Sequence, residues 1–288
     1  MTTAATRYRP QMSRSGLAPT YAVTAVDEFG NSQSSHIAGE FPLTLYVDKR
    51  EVVTLMTLGT YPEALTLGYL KNQGLVTDLE DIVSVQVDWD VEAVAVTTRS
   101  GTEGWDEKLS KRTVTTGCGQ GTIFGEIMEA LDQLQLPQVP IKQSTIYGLL
   151  KNLNEYNEVY KSAGAVHGCA LCKGAEILTF IEDVGRHNAV DAIAGLMWLE
   201  GTSGEDKLFY TTGRLTSEMV IKVAQMRIPA LLSRSGITKM GLELARKVGV
   251  TMIARAKGRH FLVYNGAETI VYDDKPPLRP TAVRELSD

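Results

Sequence analysis

The sequence contains little cysteine and no long apolar run, and these absences bound its class. Three cysteines, Cys118, Cys169 and Cys172, occur in 288 residues. A small, odd number argues against a disulfide framework and leaves reactive, metal-binding or buried thiols. No apolar run is long enough to span a bilayer, and the N-terminal residues lack the apolar core of a secretory signal. We therefore expect a cytoplasmic protein that does not bind a membrane.

Positive charge is also in short supply. The chain has 29 Lys and Arg against 34 Asp and Glu, a formal net charge of −5. No overall basic field would attract nucleic acid, although a local basic patch could still bind a phosphate. The hydrophobic share of 43% and the charged share of 22% suit a globular protein with one large domain or two smaller lobes.

The pattern of apolar and turn residues predicts three regions. Residues 1–36, rich in Ser, Thr, Ala and Gly, are expected to form a flexible tail. Residues 37–142 are expected to form an N-terminal lobe, with FPLTLYV and EVVTLMT as a hairpin and a helix opening at Pro62. In residues 143–288, where Ser144 is a candidate helix cap, strand-like and helix-like segments alternate. This rhythm predicts an α/β fold with a mixed sheet and helices on both faces.

Cys118 is the residue most indicative of chemistry. It lies in TTGCGQGT, where three glycines leave the sulfur unshielded. A helix is predicted from about residue 123 to residue 134, so its N-terminal dipole would favour the thiolate. An accessible thiolate of low pKa is a nucleophile and can hold a persulfide. The alternative, a small buried residue in a turn, fits poorly with flanking glycines and hydroxyls.

The segment VHGCALC carries His167, Cys169 and Cys172 close together. A Cys-x-x-Cys pair beside a histidine could supply three zinc ligands or a redox dithiol. The segment is strand-like, however, and residues three apart on a strand point to opposite faces. We therefore expect at least one of the two cysteines to be buried for structural reasons.

Three basic segments are candidate anion sites. EDVGRHN, with Arg186 and His187, and TGRLTSE, with Arg214, each follow a strand and precede a helix. Ligand sites of α/β proteins gather at such junctions. Residues 255–260, RAKGRH, form the densest basic cluster of the chain and are expected to form a turn that could bind phosphate.

Each of these segments also has a purely structural interpretation. The first could be a polar helix start capped by Asp183, with His187 paired to Asp191 one turn later. In the second, Glu218 and Lys222 could form an ordinary helix pair. The basic turn could be a solvated surface. The residues alone leave these alternatives open.

Longer stretches of the chain resemble the FdhD/NarQ family of formate dehydrogenase accessory proteins. EDVGRHNAVDAIAG is similar to the central signature of that family, and the stretch from GRLTSEM to MIARA continues it in order and spacing. FPLTLYVDKREVVTLMT and PEALTLGYLKNQGLV resemble its opening segments, and AVHGCAL stands where the family has glycine, histidine and alanine. The resemblance covers roughly residues 40 to 272, and long ordered matches are more specific than short motifs.

The resemblance implies a fold and a function. The fold would be a cytidine-deaminase-like α/β core without the deaminase's zinc site, plus the N-terminal lobe. The function would be that of a sulfur carrier, a sulfurtransferase that takes persulfide sulfur from a cysteine desulfurase. It would pass this sulfur to the molybdenum bis-guanine-dinucleotide cofactor, a bound client rather than a permanent metal, for formate dehydrogenase. A homodimer would be compatible with the resemblance, although the sequence does not show the oligomeric state.

The sulfur loop of the family usually contains Cys-Gly-x-Cys-Gly. In this chain Cys118 takes the first position and Gly121 stands where the second cysteine would be. The loop therefore cannot form a local disulfide. Sulfur could leave by direct attack of the acceptor on the outer sulfur, or Cys169 or Cys172 could substitute as the resolving thiol. The resemblance also implies that the client cofactor binds to the turn of Arg255, Ala256, Lys257, Gly258, Arg259 and His260. We hypothesise that its phosphates also contact Arg214, Arg186 and His187. His260 stands where the family commonly has arginine, so its contact with an anion would weaken if the ring were neutral.

Two rival functions remain at this point. A zinc deaminase would carry His-x-Glu followed by Pro-Cys-x-x-Cys. Here His167 is followed by Gly168 and Cys169, and no proline precedes that cysteine. The second rival is a chaperone that holds the cofactor or the apo-enzyme without moving sulfur. Replacement of Cys118 by alanine would abolish the function of a carrier and spare that of a chaperone.

Overall fold

The computed structural model describes residues 7–105, 112–113, 122–123, 131 and 133–276. The strands are β1 Gln11–Met12, β2 Thr20–Val26, β3 Ser32–Ala38, β4 Phe41–Val47, β5 Arg50–Thr57, β6 Ile82–Asp88, β7 Ala93–Thr98, β8 Arg112–Thr113, β9 Thr122–Ile123, β10 Ile141–Lys142, β11 His167–Lys173, β12 Glu176–Asp183, β13 Leu208–Thr211, β14 Ala230–Ser233, β15 Thr251–Lys257, β16 His260–Asn265 and β17 Ile270–Val271. The helices are α1 Pro62–Asn72, α2 Gln143–Asn152, α3 Glu158–Ala163, α4 Arg186–Glu200, α5 Ser217–Gln225 and α6 Lys239–Val248, and single 3-10 turns lie at Leu79–Asp81, Leu153–Glu155 and Ala267–Thr269.

A five-stranded sheet in the order β1-β6-β7-β4-β5 forms the N-terminal lobe. β4 and β5 pair antiparallel, which confirms the predicted hairpin. Both turn residues, Asp48 and Lys49, have positive φ, the twist that suits a two-residue hairpin turn. Leu43, Leu45 and Val47 point alternately inward from β4 and are fully buried. The predicted helix is α1, and it begins with proline at its first turn.

Residues 7–38 correct the prediction of a flexible tail over residues 1–36. β1 pairs parallel with β6, and β2 and β3 form an antiparallel hairpin. In the hairpin turn, Asp27 Oδ1 accepts hydrogen bonds from the backbone N–H groups of Phe29 and Asn31, at 3.0 and 2.8 Å. The hairpin is mostly exposed, so its sequence carries no alternation of buried and exposed residues that would reveal it.

A six-stranded sheet in the order β12-β11-β13-β14-β15-β16 forms the C-terminal lobe. β13, β14 and β15 run parallel, and α5 and α6 connect them in sequence. β11, β12 and β16 pair antiparallel with their neighbours. One face packs against residues of α4, α5 and α6, and the other packs against α2. The predicted mixed sheet with helices on both faces is therefore confirmed, while the closer likeness to cytidine deaminases stays a prediction.

α1 and α4 pack against each other at the centre of the molecule. A Cβ added at Gly68 would lie 1.7 Å from the carbonyl oxygen of Asp191, and one at Gly195 would lie 1.9 Å from that of Ala64. Only glycine allows two backbones to approach this closely. α1 also contacts β6 and β7, and α4 contacts β11 and β12. One continuous hydrophobic core therefore runs from the first lobe into the second.

The start of α2 differs from the prediction that Ser144 caps it. The helix begins at Gln143, and Ser144 lies in its first turn as a hydrogen-bond donor and not as the capping residue. Its backbone N–H and its hydroxyl donate to the two carboxylate oxygens of Asp273, at 2.9 and 2.7 Å. The capping carboxylate comes from 129 residues further along the chain, so local sequence could not identify it.

Two further predictions fall largely on residues that the structure leaves undescribed. Cys118 and its glycine-rich loop lie outside the described residues, as does most of the predicted helix at residues 123–134. Within the described ranges, no helix combines the length and the apolar character needed to cross a bilayer.

Candidate functional site

A cleft of about 640 Å³ opens where the three parallel strands end. β13 leads into Thr212, β14 leads into Arg234 and Ser235, and β15 leads into the turn at Gly258; residues of all three strand ends line the cleft. The opposite wall comes from α3 and the segment before it. The carboxyl ends of parallel strands are the usual ligand-binding edge of an α/β sheet, as the position of the motifs in the sequence predicts.

Hydrogen bonds join the loops that follow these strands. Ser233 Oγ donates to the carbonyl oxygen of Gly213 at 2.6 Å and accepts from the backbone N–H of Ser235 at 2.9 Å. The backbone N–H of Arg255 donates to the Ser235 carbonyl oxygen at 2.9 Å, and Arg255 itself has a φ of 51°. The three loops are therefore tied side by side, which gives the cleft a preformed floor.

Positive charge collects at this edge. Arg214, Arg234 and Lys257 are exposed, and none forms an ion pair with a residue that the structure describes. Arg186 is buried below them, and its side chain passes so close to Gly213 that a Cβ there would lie 2.6 Å from Arg186 Cδ. Arg214, Arg234 and Lys257 therefore present positive charge without a carboxylate partner among the described residues, a surface suited to an anion.

His167 lies beside these arginines. Its Nδ1 is 3.2 Å from the hydroxyl oxygen of Thr212, and that oxygen accepts a hydrogen bond from the Gly168 N–H at 3.1 Å. Burial lowers the pKa of His167, and the charges of Arg186, Arg234 and Arg214 lower it further. The ring is therefore neutral near pH 7 and adds a polar group without a charge to the cationic edge.

The two cysteines of β11 are both buried, which confirms the expectation that at least one would be. Cys169 belongs to the larger core and Cys172 to the core on the other face of the sheet. Burial raises the pKa of each thiol to about 12. Cys169 Sγ lies 3.3 Å from Thr211 Oγ1. The two sulfurs lie on opposite faces of the sheet, so they do not form a joint metal or redox site. Among the described residues, no group of three or more His, Cys, Asp or Glu side chains could hold a metal ion.

The EDVGRHN segment holds the two lobes together. Asp183 Oδ2 accepts from the hydroxyl of Thr57 at 2.6 Å and from the backbone N–H of Leu58 at 3.0 Å. Its Oδ1 accepts from the Gly185 N–H and from Asn188 Nδ2. Gly185 is the residue at the helix cap and has no side chain to cap with. Asp183 therefore binds the end of β5 to the start of α4 instead of serving as a simple cap.

The charged groups below the cleft pair differently from the sequence alternatives. His187 faces Glu218, with Nε2 and Oε2 3.1 Å apart, rather than Asp191. Lys222 pairs with Asp191 at 2.5 Å rather than with Glu218, and Asn72 donates to the same carboxylate at 2.7 Å. Both helix-internal pairings are wrong, because side chains of neighbouring helices are closer partners. Burial, then the charge of Lys222, lowers the pKa of His187 to about 2. His187 is thus a neutral core residue that does not line the cleft.

The predicted binding turn at residues 255–260 divides between two faces. Ala256, Lys257 and Gly258 line the cleft. Arg259 turns away, where Nη2 lies 2.5 Å from Asp274 Oδ1 and the guanidinium lies 5.0 Å from the centre of the Tyr147 ring. His260 is exposed and pairs with Lys257 across the hairpin.

The sequence reasoning missed Arg234, Ser235 and Tyr160. The first two could have been found, since SRSGIT follows a strand in the same way as TGRLTSE. Tyr160 has no such signal. It reaches the cleft from α3, with the Arg234 guanidinium 5.3 Å from the centre of its ring.

Comparisons with known proteins agree on one family. The model of the FdhD/NarQ family matches residues 38–271. Sulfur carrier protein FdhD from Listeria monocytogenes serotype 4b is 33% identical over 242 residues, with 82% of this chain and 92% of the relative covered. The protein of the same name from Bacillus subtilis is 30% identical over 235 residues, covering 80% and 88%.

A solved structure extends this agreement to the fold. A crystal structure of a protein described as a formate dehydrogenase accessory protein, from Desulfotalea psychrophila, superposes with a TM-score of 0.69 at 26% identity. The superposition covers 88% of this chain and 98% of the other. Because the family model spans most of the chain and full-length relatives match at about a third identity, this protein belongs to the FdhD/NarQ family.

Proposed function

We propose that this chain is a cytoplasmic sulfur carrier. It takes sulfur as a persulfide on Cys118 from a cysteine desulfurase and delivers it to the molybdenum bis-guanine-dinucleotide cofactor of formate dehydrogenase. The cofactor is a client that binds in the cleft at the end of the parallel strands. The curated relatives named above are sulfur carriers, and the superposed structure is described as a formate dehydrogenase accessory protein.

The observation that supports this most strongly is the unbalanced positive charge of the cleft. Arg234 and Lys257 line or border it, Arg214 lies at the adjacent loop, and no described carboxylate neutralises them. Guanidinium and ammonium groups are the side chains that bind phosphate oxygens in proteins. A dinucleotide with its diphosphate linkages fits this charge.

The three thiols of the chain differ in what they can do. Only a thiolate attacks a persulfide. Cys169 and Cys172 are buried, with pKa values of about 12, so both stay protonated and inaccessible near pH 7. Cys118, with its three neighbouring glycines, is left as the sulfur acceptor.

One thiol is sufficient both to accept the sulfur and to release it. The Cys118 thiolate attacks the outer sulfur of the desulfurase persulfide, a new S–S bond forms at Cys118, and the desulfurase cysteine leaves as a thiolate. Delivery is a second attack on the same outer sulfur by the acceptor, and Cys118 leaves as a thiolate. No resolving cysteine is needed, which suits a loop with glycine at position 121.

Intact-protein mass spectrometry tests the proposal. The wild type, Cys118→Ala and Cys172→Ala are each incubated with a cysteine desulfurase and cysteine. We expect one added sulfur on the wild type and on Cys172→Ala, and none on Cys118→Ala. Added sulfur that persists on Cys118→Ala would move the chemistry to another cysteine. No added sulfur on any of the three would support a chaperone that holds the cofactor without carrying sulfur.

A further inference from the structure

α3 forms part of the cleft wall but has little support of its own. It spans only six residues, Glu158–Ala163, and none of them is buried. Asn157, at its cap position, makes no capping hydrogen bond with its side chain. So short a helix is not stable in water without outside contacts, because the first turn costs more conformational entropy than its hydrogen bonds return. β2 and β3 contact it from one side, and a further contact comes from the sheet of the C-terminal lobe.

Glu182 supplies that contact from the end of β12. Its Oε2 accepts from the backbone N–H of Val159 and its Oε1 accepts from that of Tyr160, both at 2.9 Å. One carboxylate therefore satisfies two adjacent free N–H groups in the first turn of the helix, where a negative charge is also favoured. Glu182 is 8% exposed, and burial raises the pKa of its carboxyl although the two hydrogen bonds oppose the rise.

The first turn of α3, which Glu182 binds, carries an aromatic residue of the cleft wall. Tyr160 is the residue whose N–H binds Glu182, and its ring lies in the cleft wall beneath the Arg234 guanidinium, 5.3 Å away. Asn157 lines the same wall, with Nδ2 donating to the Leu153 carbonyl oxygen at 2.7 Å. Glu182 does not line this cleft. It faces a separate hollow on the other side of α3.

We propose that Glu182 is a positioning residue of the cofactor cleft. By binding the first turn of α3 with both carboxylate oxygens, it places the Tyr160 ring, and the ring in turn orients the guanidinium of Arg234 toward the bound anion. It acts through these two residues and does not touch the ligand. This inference rests on the proposed function, since it assigns the cleft an anionic nucleotide client.

GDP is a suitable probe, because it carries the base and the diphosphate of the proposed client. Isothermal titration calorimetry would compare the wild type with Glu182→Gln and, as a control, Glu176→Gln. The glutamine keeps one acceptor oxygen but turns an amide N–H toward a backbone N–H. We expect GDP to bind about three- to tenfold more weakly to Glu182→Gln, the effect of losing a helix cap. Glu176→Gln removes an exposed carboxylate at the opposite end of β12 from Glu182 and should bind GDP like the wild type. Equal affinity of the wild type and Glu182→Gln would overturn the inference.

A pH series separates positioning from general loosening of the fold. Protonation of Glu182 removes one acceptor, and its raised pKa brings this on at a higher pH than for an ordinary glutamate. The ratio of the GDP affinity of the wild type to that of Glu182→Gln should therefore fall toward one as the pH falls. Because both proteins are measured at the same pH, the protonation of GDP itself affects both affinities equally. Glu158 and Lys161 on α3, and Tyr61, Glu155 and Tyr156 around the hollow, are the other titratable groups facing Glu182. A ratio of affinities that does not change with pH would contradict the role of the carboxylate.

Amide hydrogen exchange provides a measurement that needs no ligand. The N–H groups of Val159 and Tyr160 should exchange slowly in the wild type and rapidly in Glu182→Gln, with no change elsewhere in the sheet. Unchanged protection in the variant would refute the contact. Sulfur uptake by Cys118 should be the same in both proteins. If the wild type fails to bind GDP, the cofactor part of the proposed function is wrong, and the exchange result alone decides whether Glu182 holds α3.

Discussion

The junction of α1 and α4 and the cleft beside it both contain many charged groups, but they treat those groups differently. At the junction, Asp191 is fully buried and bonds to Lys222 and Asn72. At the cleft, Arg234 and Lys257 are exposed and have no carboxylate partner among the described residues. Burial makes an unpaired charge very costly, whereas an exposed cation remains hydrated at little cost. The junction therefore uses charge to hold the lobes together, and the cleft keeps charge free for a ligand.

We predict that substitutions in the two regions change different properties of the protein. Changes at the junction should lower the free energy of unfolding. Changes at the cleft should lower affinity for an anion and leave the free energy of unfolding unchanged. The following substitutions test whether stability and anion affinity depend on different residues.

Lys222→Met should have the largest effect. The substitution leaves the Asp191 carboxylate buried with one neutral partner, and breaking a buried pair in this way costs about 3–5 kcal/mol. Urea denaturation would measure the loss. Lys239→Met is the matched control, because Lys239 is 91% exposed and lies 3.7 Å from Glu243 on the surface of α6. A loss below about 1 kcal/mol for Lys222→Met would mean that burial does not determine the value of the pair.

Gly68→Ala tests the other feature of the junction, the contact between backbones. The new Cβ would lie 1.7 Å from the Asp191 carbonyl oxygen, so α1 and α4 must separate. Overpacking of this kind costs about 1–3 kcal/mol or more, which thermal unfolding would record. Gly148→Ala in α2 is the control, since its Cβ meets only Ala175 Cβ, at 3.4 Å. It should be neutral or stabilising by up to about 1 kcal/mol. Equal effects of the two substitutions would show that the helices can adjust freely.

The sequence predicted the fold wherever structure follows from local patterns. Alternation identified the β4–β5 hairpin, and the strand–helix rhythm identified the mixed sheet. The hairpin of β2 and β3 was missed because it is exposed and carries no apolar alternation. The cap of α2 was missed because Asp273 lies far from Ser144 in the chain.

The site was predictable to a similar extent. The strand-to-helix junctions and the basic turn pointed to the correct edge of the sheet, and Ala256, Lys257 and Gly258 line the cleft there. The orientation of single side chains was not predictable. His187 lies in the core and Arg259 faces Asp274, because both depend on elements that are distant in sequence.

Arg234→Ala should affect the cleft without affecting the fold. The guanidinium is exposed at the mouth of the cleft, and loss of a charged hydrogen bond to a phosphate should weaken GDP binding about tenfold. The free energy of unfolding should stay within about 0.5 kcal/mol of the wild type. Arg246→Ala, which removes an exposed arginine of α6 outside the cleft, should leave GDP affinity unchanged. A large loss of stability in Arg234→Ala would remove the distinction between the two regions.

Asp274→Asn should have the smallest effect. It separates the effect of burial on the strength of an ion pair from the effect of the distance between its charged atoms. The Arg259–Asp274 contact measures 2.5 Å, the same as the Lys222–Asp191 contact, but its side chains are 51% and 43% exposed rather than 6% and 0%. Water and salt screen the exposed pair, so its loss should change the free energy of unfolding by less than about 1 kcal/mol. Urea denaturation at low and high salt would measure it, and any loss should fall further at high salt. If Asp274→Asn proves as destabilising as Lys222→Met, then distance and not burial sets the strength of these pairs, and the contrast between junction and cleft does not hold.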